Sequence, residues 1–448
     1  MKLKPYPEYK DSGVEWIGEI PQNWEMRRLK YNCSVNPPGK KSLSDPKAKV
    51  NFLPMEKVSE EGDYDLESKT EYENVSSGYT YFEDSDVLLA KITPCFENGK
   101  GALVENLKYG FGFGTTEFHI LRYGTEIHPK YLYFLTKSHL FRVIGEAFME
   151  GAAGQKRVST DFVKNFPMPT PSMAEQKLIV NYLEKKTSEI DLTIEKDTRL
   201  IELLKEKRTT LINHVVTKGL DPTAEMKDSG VEWIGEIPED WEVNKTKKIT
   251  DVKISNVDKK SKENEPEVFL CNYTDVYNHE FITSKLDFMK ATASVEQVKK
   301  LSLRKGDVII TKDSETQDDI AVPALVNEDL ENVVCGYHLA LIRPHNNEII
   351  GDFLFRLLQS RKINDQFVVA ANGVTRFGIS TYPIKNSYLT LPPLDQQELI
   401  CKYLNHQSSK IDLTIEKIGN NIELLEEYKK SLIHHVVTGK VDVREVAV

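Results

Sequence analysis

The stretch K-D-S-G-V-E-W-I-G-E-I-P, Lys10 to Pro21, recurs letter for letter at Lys227 to Pro238, with Trp24 and Trp241 following at the same distance. A second identity, I-D-L-T-I-E-K, spans Ile190 to Lys196 and Ile411 to Lys417, 221 positions apart in a chain of 448 residues. The chain is therefore two copies of one plan. All four tryptophans (Trp16, Trp24, Trp233 and Trp241) lie in or beside the first repeat. Copied parts of this kind read as scaffold, and the dissimilar stretches between them carry what differs.

Working outward from the second identity, each half ends in a proline break followed by a long proline-free stretch: P-M-P-T-P at Pro167 to Pro171, and L-P-P-L at Leu391 to Leu394. In the first stretch Ile179, Leu183, Ile190, Ile194, Ile201, Leu204, Leu211 and Val215 fall at threes, fours or their sums. In the second, Ile400, Leu404, Ile411, Ile415, Ile422, Leu425, Leu432 and Val436 repeat the pattern. This is the spacing of a coiled-coil seam, and it predicts two helices of about forty residues, ~60 Å each at ~1.5 Å per residue. A helix that long cannot bury its stripe against a small domain alone, so the two are expected to pair. Only about ten residues separate the first helix from the second copy of the tryptophan segment, so the second insert starts at the far end and the second helix runs back. Antiparallel pairing, a pseudo-twofold arrangement and neighbouring chain termini follow as expectations.

The inserts, about 25 to 170 and 242 to 391, mix aromatic and β-branched residues with glycine and proline turns, which predicts mixed α/β (α+β) heads of short strands with a few helices. Val50 to Leu53 and Asp86 to Ile92 read as strands, and Lys130 to Phe148 as a helix. Asp307-Val-Ile-Ile-Thr-Lys312 stands 221 positions after Asp86-Val-Leu-Leu-Ala-Lys91, so the inserts share a fold at lower similarity.

Length alone allows two to four domains, and each half is long enough to bury a core. Five scattered cysteines (Cys33, Cys95, Cys271, Cys335, Cys401) with no C-x-x-C pair indicate neither a disulfide framework nor a zinc site. The opening residues lack an apolar region behind their lysines, and no apolar run long enough to span a bilayer occurs. A soluble, unexported, cytoplasmic protein with no membrane partner is expected. A net charge of -10 argues against non-specific coating of nucleic acid, which requires many cations to displace counterions. Yet Lys245, Lys247, Lys248, Lys253, Lys259, Lys260 and Lys262 crowd the start of the second insert, and Lys40, Lys41, Lys47, Lys49 and Lys57 the matching place in the first. Solvated surface or local basic faces both fit such runs.

Fragments that imitate catalytic motifs fail on context. Asn36-Pro-Pro-Gly39 resembles the N-P-P-aromatic motif of amino-methyltransferases but has glycine where a ring must stack a flipped base. Phe111-Gly-Phe-Gly114 resembles a glycine-rich cofactor turn but leads into Thr115 to Ile120 with no helix. There is no phosphate-binding loop and no zinc-type histidine spacing. His214, His434 and His435 sit at helix C-termini, and His119 and His338, in similar places of the two inserts, read as buried strand histidines. No catalytic residue and no metal ligand is assigned.

Polar loops after the paired strands say more. The candidates are Lys91, Thr93, Asn98 and Lys100 with Gln155, Lys156 and Arg157 in the first insert, and Lys312, Ser314, Thr316 and Gln317 with Asn372, Thr375 and Arg376 in the second. Such side chains fix phosphates and read base edges, Arg or Lys on guanine and Asn or Gln on adenine. Ordinary solvent loops have the same composition.

The doubled K-D-S-G-V-E-W-I-G-E-I-P-x-x-W-E, the insert ends P-x-P-x-x-x-E-Q (Pro169 to Gln176) and P-P-L-D-Q-Q-E (Pro392 to Glu398), and helices ending L-I-x-H-V-V-T together resemble the specificity subunits of type I restriction-modification systems, across essentially the whole chain. The resemblance implies an N-terminal repeat segment (1–24), a target recognition domain (25–171), a spacer helix (172–218), a linker with the second repeat segment (219–241), a second recognition domain (242–391), a second helix (392–440) and a tail (441–448). Each recognition domain would read half of a split site in double-stranded DNA, and the helices would set the separation and dock two modification subunits, with restriction subunits joining them. No cofactor is expected in this chain: S-adenosylmethionine would be bound by the modification subunits, and ATP with magnesium by the restriction subunits. Two other readings stay open on the residues, a methyltransferase with degenerate motifs and a coiled-coil scaffold joining two protein-binding heads.

Overall fold

In a computed structural model the described residues are 4–39, 41–152 and 154–446; Lys40 of the first lysine group, Ala153 of the 151–157 loop and the outermost residues of both end segments lie outside them. The chain divides into two compact units, Met1–Thr198 with Asn420–Val448, and Arg199–Gly419.

In the first unit the insert opens and closes on one short ladder, Glu25–Arg28 antiparallel to Pro167–Thr170. Two prolines in the second strand confine it to such an isolated pair. Two four-stranded sheets follow. One runs Lys69–Glu71, Lys49–Leu53, Phe111–Gly114, Thr80–Glu83; the other runs Cys33–Val35, Phe118–Tyr123, Val87–Ala90, Gly101–Leu103. The expected strands at Val50 and Asp86 are thus present, and Phe111-Gly-Phe-Gly114 is a strand, not a turn. Val87 to Ala90 are wholly buried at the centre. Beside them Asp86 accepts a bidentate pair of hydrogen bonds from Arg122, at 2.9 and 2.7 Å.

The expected single helix from Lys130 to Phe148 is two, Pro129–Lys137 and His139–Ala147. Ser138 breaks it: its backbone is extended, its hydroxyl donates to Leu135 O at 2.7 Å, and the same oxygen accepts from Phe141 N at 3.4 Å. A serine that satisfies both flanking turns stops one helix and caps the next.

The second unit repeats this with variations. Glu242–Lys245 pairs with Tyr388–Leu391. A five-stranded sheet runs Thr250–Ile254, Leu339–Pro344, Val308–Thr311, Pro323–Val326, Phe281–Ile282, and a three-stranded one Met289–Thr292, Glu267–Cys271, Val333–Cys335. Asp307 and Arg343 restate the buried ion pair at 2.7 and 2.6 Å. Helices Gly351–Gln359 and Arg361–Ala370 again break at a serine, Ser360. Here the carboxamide oxygen of Asn213 accepts from Ser360 Oγ (2.9 Å) and Arg361 N (2.8 Å).

The long helices are Met173–Lys218 and Leu394–Val437. A Gln in each proline motif, Gln176 and Gln397, explains the entry into them. Gln176, fully buried, accepts from His128 N and donates to Glu126 O and Pro171 O; Gln397 accepts from Ile350 N and donates to Glu348 O and Pro392 O. Within the first unit Lys429 pairs with Asp191 (2.5 Å) and Asn421 with Asp197 (3.0 Å), an antiparallel register. Within the second, Arg208 pairs with Asp412 at 3.1 Å. Of the seam residues, Ile179, Leu183, Ile190, Ile400, Leu404, Ile411 and Leu432 are buried. Ile194, Ile201, Leu204, Leu211, Ile415, Ile422 and Leu425 are half-buried. Near the heads the stripe broadens, because Val180, Tyr182, Ile212, Val216, Ile433 and Val437 pack into the head cores.

The first tryptophan segment docks where connectivity requires. Tyr6, Ile17, Ile20 and Trp24 join Leu432, Val436 and Val437 in one core, Tyr9 donates to Gly439 O at 3.1 Å, and Lys4 bridges Asp442. The second copy meets Val215 and Val216 in the second unit's core.

Candidate nucleic-acid interface

In the first unit, the backbone brings the two candidate loops together at the end of the central strand. Val158 N donates to Lys91 O (2.8 Å), Thr93 N to Lys156 O (3.0 Å) and Lys156 N to Thr93 Oγ1 (3.0 Å). Lys91, Thr93, Gln155, Lys156 and Arg157 thus form one patch. Not all of them face outward with free donors. Thr93 spends its hydroxyl on the neighbouring loop, and Arg157 forks onto Glu117 at 2.9 Å twice. That hydrogen-bonded guanidinium holds the Glu117 carboxyl below the usual carboxylate range. Gln155, Lys156 and Asn98 are exposed, and Lys91 and Lys100 half-buried.

The second unit makes the same junction. Ile379 N donates to Lys312 O at 2.9 Å, and Asp313–Ser314 pairs with Phe377–Gly378. The bridge Asn372↔Gly378 closes a hairpin whose tip exposes Val374, Thr375 and Arg376. Thr316 is exposed, and Gln317 donates its amide to Val368 O at 2.9 Å. Ser314 differs from expectation: it is 5% exposed, with its hydroxyl accepting from Thr316 N at 3.3 Å, so it shapes the loop from inside. Asn372 likewise returns its amide to Ala370 O at 2.9 Å.

The histidines also need correction. Strand register sets Leu89 opposite His119 and Ile310 opposite Ala340, so His119 corresponds to Ala340, and His338 to Glu117. His119 is the buried strand histidine expected, bonded to Val158 O at 2.9 Å and to Asn36 at 3.1 Å, and burial pushes its imidazole down. His338 instead has a left-handed backbone (φ 68°), is only half-buried, and meets Asp313 at 2.5 Å. Asn36 proves structural: its backbone N donates to Ile120 O at 2.7 Å and its side-chain oxygen accepts from Ile120 N at 2.9 Å. Glu117 and Asp313 carry no sequence signal, because only the three-dimensional register shows that they brace the loops.

Of the second lysine group, Lys247, Lys248, Lys259, Lys260 and Lys262 are exposed. Among the described residues no group of three His, Cys, Asp or Glu is placed to hold a metal ion, and no helix is long and apolar enough to cross a membrane.

Comparisons with known proteins bear on this geometry. The family described as type I restriction modification DNA specificity domain matches residues 21–204 and again 238–424. The specificity subunit of the type I restriction enzyme EcoAI of Escherichia coli is 41% identical over 182 residues, covering 40% of this chain and 30% of that subunit. The matched part therefore spans less than a third of that relative. By fold, a chain of a solved type I R-M system superposes with a TM-score of 0.73 at 16% identity, over 94% of this chain and 99% of that one. The HsdS subunit from Thermoanaerobacter tengcongensis gives 0.57 at 17% identity, over 94% and 98%. With the repeated frame, the duplicated loop junction and the twofold family match in hand, the chain belongs to the type I restriction modification DNA specificity family and carries two copies of its domain.

Proposed function

We propose that this chain is the non-catalytic sequence-specificity subunit of a type I restriction-modification complex, each unit reading one half of a two-part site in double-stranded DNA. The observation that carries the reading is the pair of register-equivalent loop junctions, built alike in backbone and unlike in side chains. Each well-read base pair discriminates by ~1–3 kcal/mol, so a few per unit reach the ~4–10 kcal/mol separating specific from non-specific binding. A chain of net charge -10 then shares phosphate neutralisation with its partners. Two modification subunits, carrying S-adenosylmethionine, and restriction subunits, using ATP and magnesium, supply methylation and cleavage in the cytoplasm.

Docking of the modification subunits on the long helices has its own support. Leu178 and Leu399, Leu192 and Leu413, and Leu203 and Leu424 are repeat-equivalent leucines left 40 to 63% exposed. Leu178 and Leu192 in the first unit, and Leu399 and Leu413 in the second, are 14 residues apart, close to four turns at ~3.6 residues per turn, so within each unit they share a helix face. Their recurrence at equivalent positions of both units supports reading them as contacts for a pair of like partners.

Replacing residues 242–391 by a relative's insert is expected to change one half of the methylated target and leave the other intact, read by sequencing methylated DNA. Change in both halves, or in neither, refutes the assignment. Four residues added to both helices add ~6 Å, nearly two base-pair steps at ~3.4 Å, and the same sequencing is expected to show a longer gap between unchanged half-sites; altered half-sites with an unaltered gap refute the ruler.

A further inference from the structure

Beneath the first unit's loop lies Arg142, on the helix that Ser138 caps. Its Nη1 donates to Phe96 O at 2.9 Å and its Nη2 to Gly99 O at 3.2 Å. The residue is 8% exposed, and the described residues give it no carboxylate partner. Its guanidinium lies over the Phe96 ring, 5.0 Å from the centroid. A buried cation without a counter-ion costs several kcal/mol in lost hydration, so its hydrogen bonds to the loop carbonyls must offset that cost. Lys137 adds a bond to the same Gly99 O at 3.0 Å.

The second unit has the same device in other atoms. Asn364 stands four residues after Ser360, as Arg142 stands four after Ser138. Its Nδ2 donates to Ile320 O at 3.1 Å and to Ala321 O at 3.3 Å. Register equates the acceptors: Leu89 faces Gly101 and Ile310 faces Pro323, so Gly99 and Ala321 each lie two residues before the return strand. Both are left-handed, at φ 82° and 58°. That backbone is free for glycine but uncommon for alanine, and at Ala321 the amide of Asn364 holds it. The long arm of Arg142 spans carbonyls three residues apart, whereas the short one of Asn364 grips adjacent carbonyls.

We propose that Arg142 and Asn364 are positioning residues for base selection: each fixes the left-handed turn that ends its unit's loop, and so sets where Asn98 and Lys100, or Lys312 and Thr316, meet the DNA. Neither touches DNA. The inference rests on the proposed reading of DNA by these loops. Specificity is thereby tuned from behind the loops, by the buried Arg142 and the half-buried Asn364.

The test uses the full chain assembled with its modification subunits, and a library of duplexes varied one base pair at a time across both half-sites. Arg142→Met is expected to lose about tenfold selectivity or more within one half-site, the size of one misplaced base contact, while the other half-site and the salt dependence of non-specific binding stay unchanged. Arg142→Lys, which keeps charge and some donors, recovers part of the loss. Asn364→Leu is expected to relax only the opposite half-site. Thermal unfolding of each variant separates misfolding from misplacement, and Asn364→Leu, which removes no buried charge, keeps the test open should Arg142→Met fold poorly. Folded variants with selectivity intact, or relaxed equally in both half-sites, overturn the positioning role. A wild-type complex that shows no sequence selectivity overturns the DNA reading itself.

Discussion

At the loop junction of the first unit Glu117 holds Arg157 by two hydrogen bonds; at the equivalent point of the second unit His338 meets Asp313. A few residues away, Asp86 with Arg122 and Asp307 with Arg343 repeat their bidentate pairing, and Gln176 and Gln397 make the same three bonds. The difference teaches where the molecule tolerates new chemistry. Buried polar groups in the frame are cut off from water, so changing one leaves its partner without solvent to replace it. At the junction, solvent stands in for a lost partner, and side chains are exchanged at low cost.

The comparison breaks most visibly if the two frames are energetically unlike. Arg122→Met leaves Asp86, 0% exposed, without its counter-ion and is expected to cost about 3–5 kcal/mol. Arg343→Met does the same to Asp307, 1% exposed. Urea unfolding of both variants should show comparable losses; a negligible loss in either would mean that its frame pair is ornamental.

A smaller effect concerns a frame position where the halves diverge. Asn213 caps the helix after Ser360, and its repeat counterpart in L-I-x-H-V-V-T is His434, whose Nδ1 has no hydrogen-bond partner among the described residues. Burial, with His435, His139 and Lys440 nearby, pushes the His434 imidazole down to about 4. An unfolded histidine takes up a proton near pH ~6.5, while the folded one does not until about 4. The unfolded state therefore binds more protons in that window, and this group makes stability fall as pH drops from 7 toward 4. His434→Asn is expected to flatten that decline in thermal unfolding across pH. If the carboxamide reaches the helix start as Asn213 does, it adds about 1 kcal/mol at pH 7. An unchanged pH slope would remove His434 from the account.

The smallest stability effect belongs to the junction. Glu117→Gln breaks a partly exposed pair, with side chains 25 and 42% exposed, and is expected to shift stability by less than about 1 kcal/mol. It also frees the Arg157 fork, so the salt dependence of DNA binding should steepen by up to about one phosphate contact. A large stability loss would show that the junction belongs to the frame after all.

Much of the fold was legible because periodicity and repetition are properties of sequence. The threes and fours from Ile179 and Ile400 marked the long helices, and the 221-residue offset marked the paired strands. The break at Ser138 was not legible: neither glycine nor proline stands there, and the serine acts through hydrogen bonds visible only once the chain is folded. The burial of Ser314 and the half-exposed setting of His338 are not legible for a related reason. Exposure near a strand end alternates with pleat and register, and a shift of two positions exchanged the place of His119 for that of Glu117. The loops were found by composition, whereas Arg142 and Asn364 beneath them look in sequence like any polar residues on an amphipathic helix.

The second unit is one unbroken run of chain, but the first is assembled from two separate runs: residues up to Thr198 are joined by those from Asn420 onward, with Lys440 donating to Ile17 O at 3.0 Å and Val436, Val437 and Val443 in the Trp24 core. Synthesis therefore reverses the order of completion. The head encoded first waits, with part of its core unfilled, until Leu432 to Val443 have been made, whereas the head encoded second has all of its own residues by Gly419.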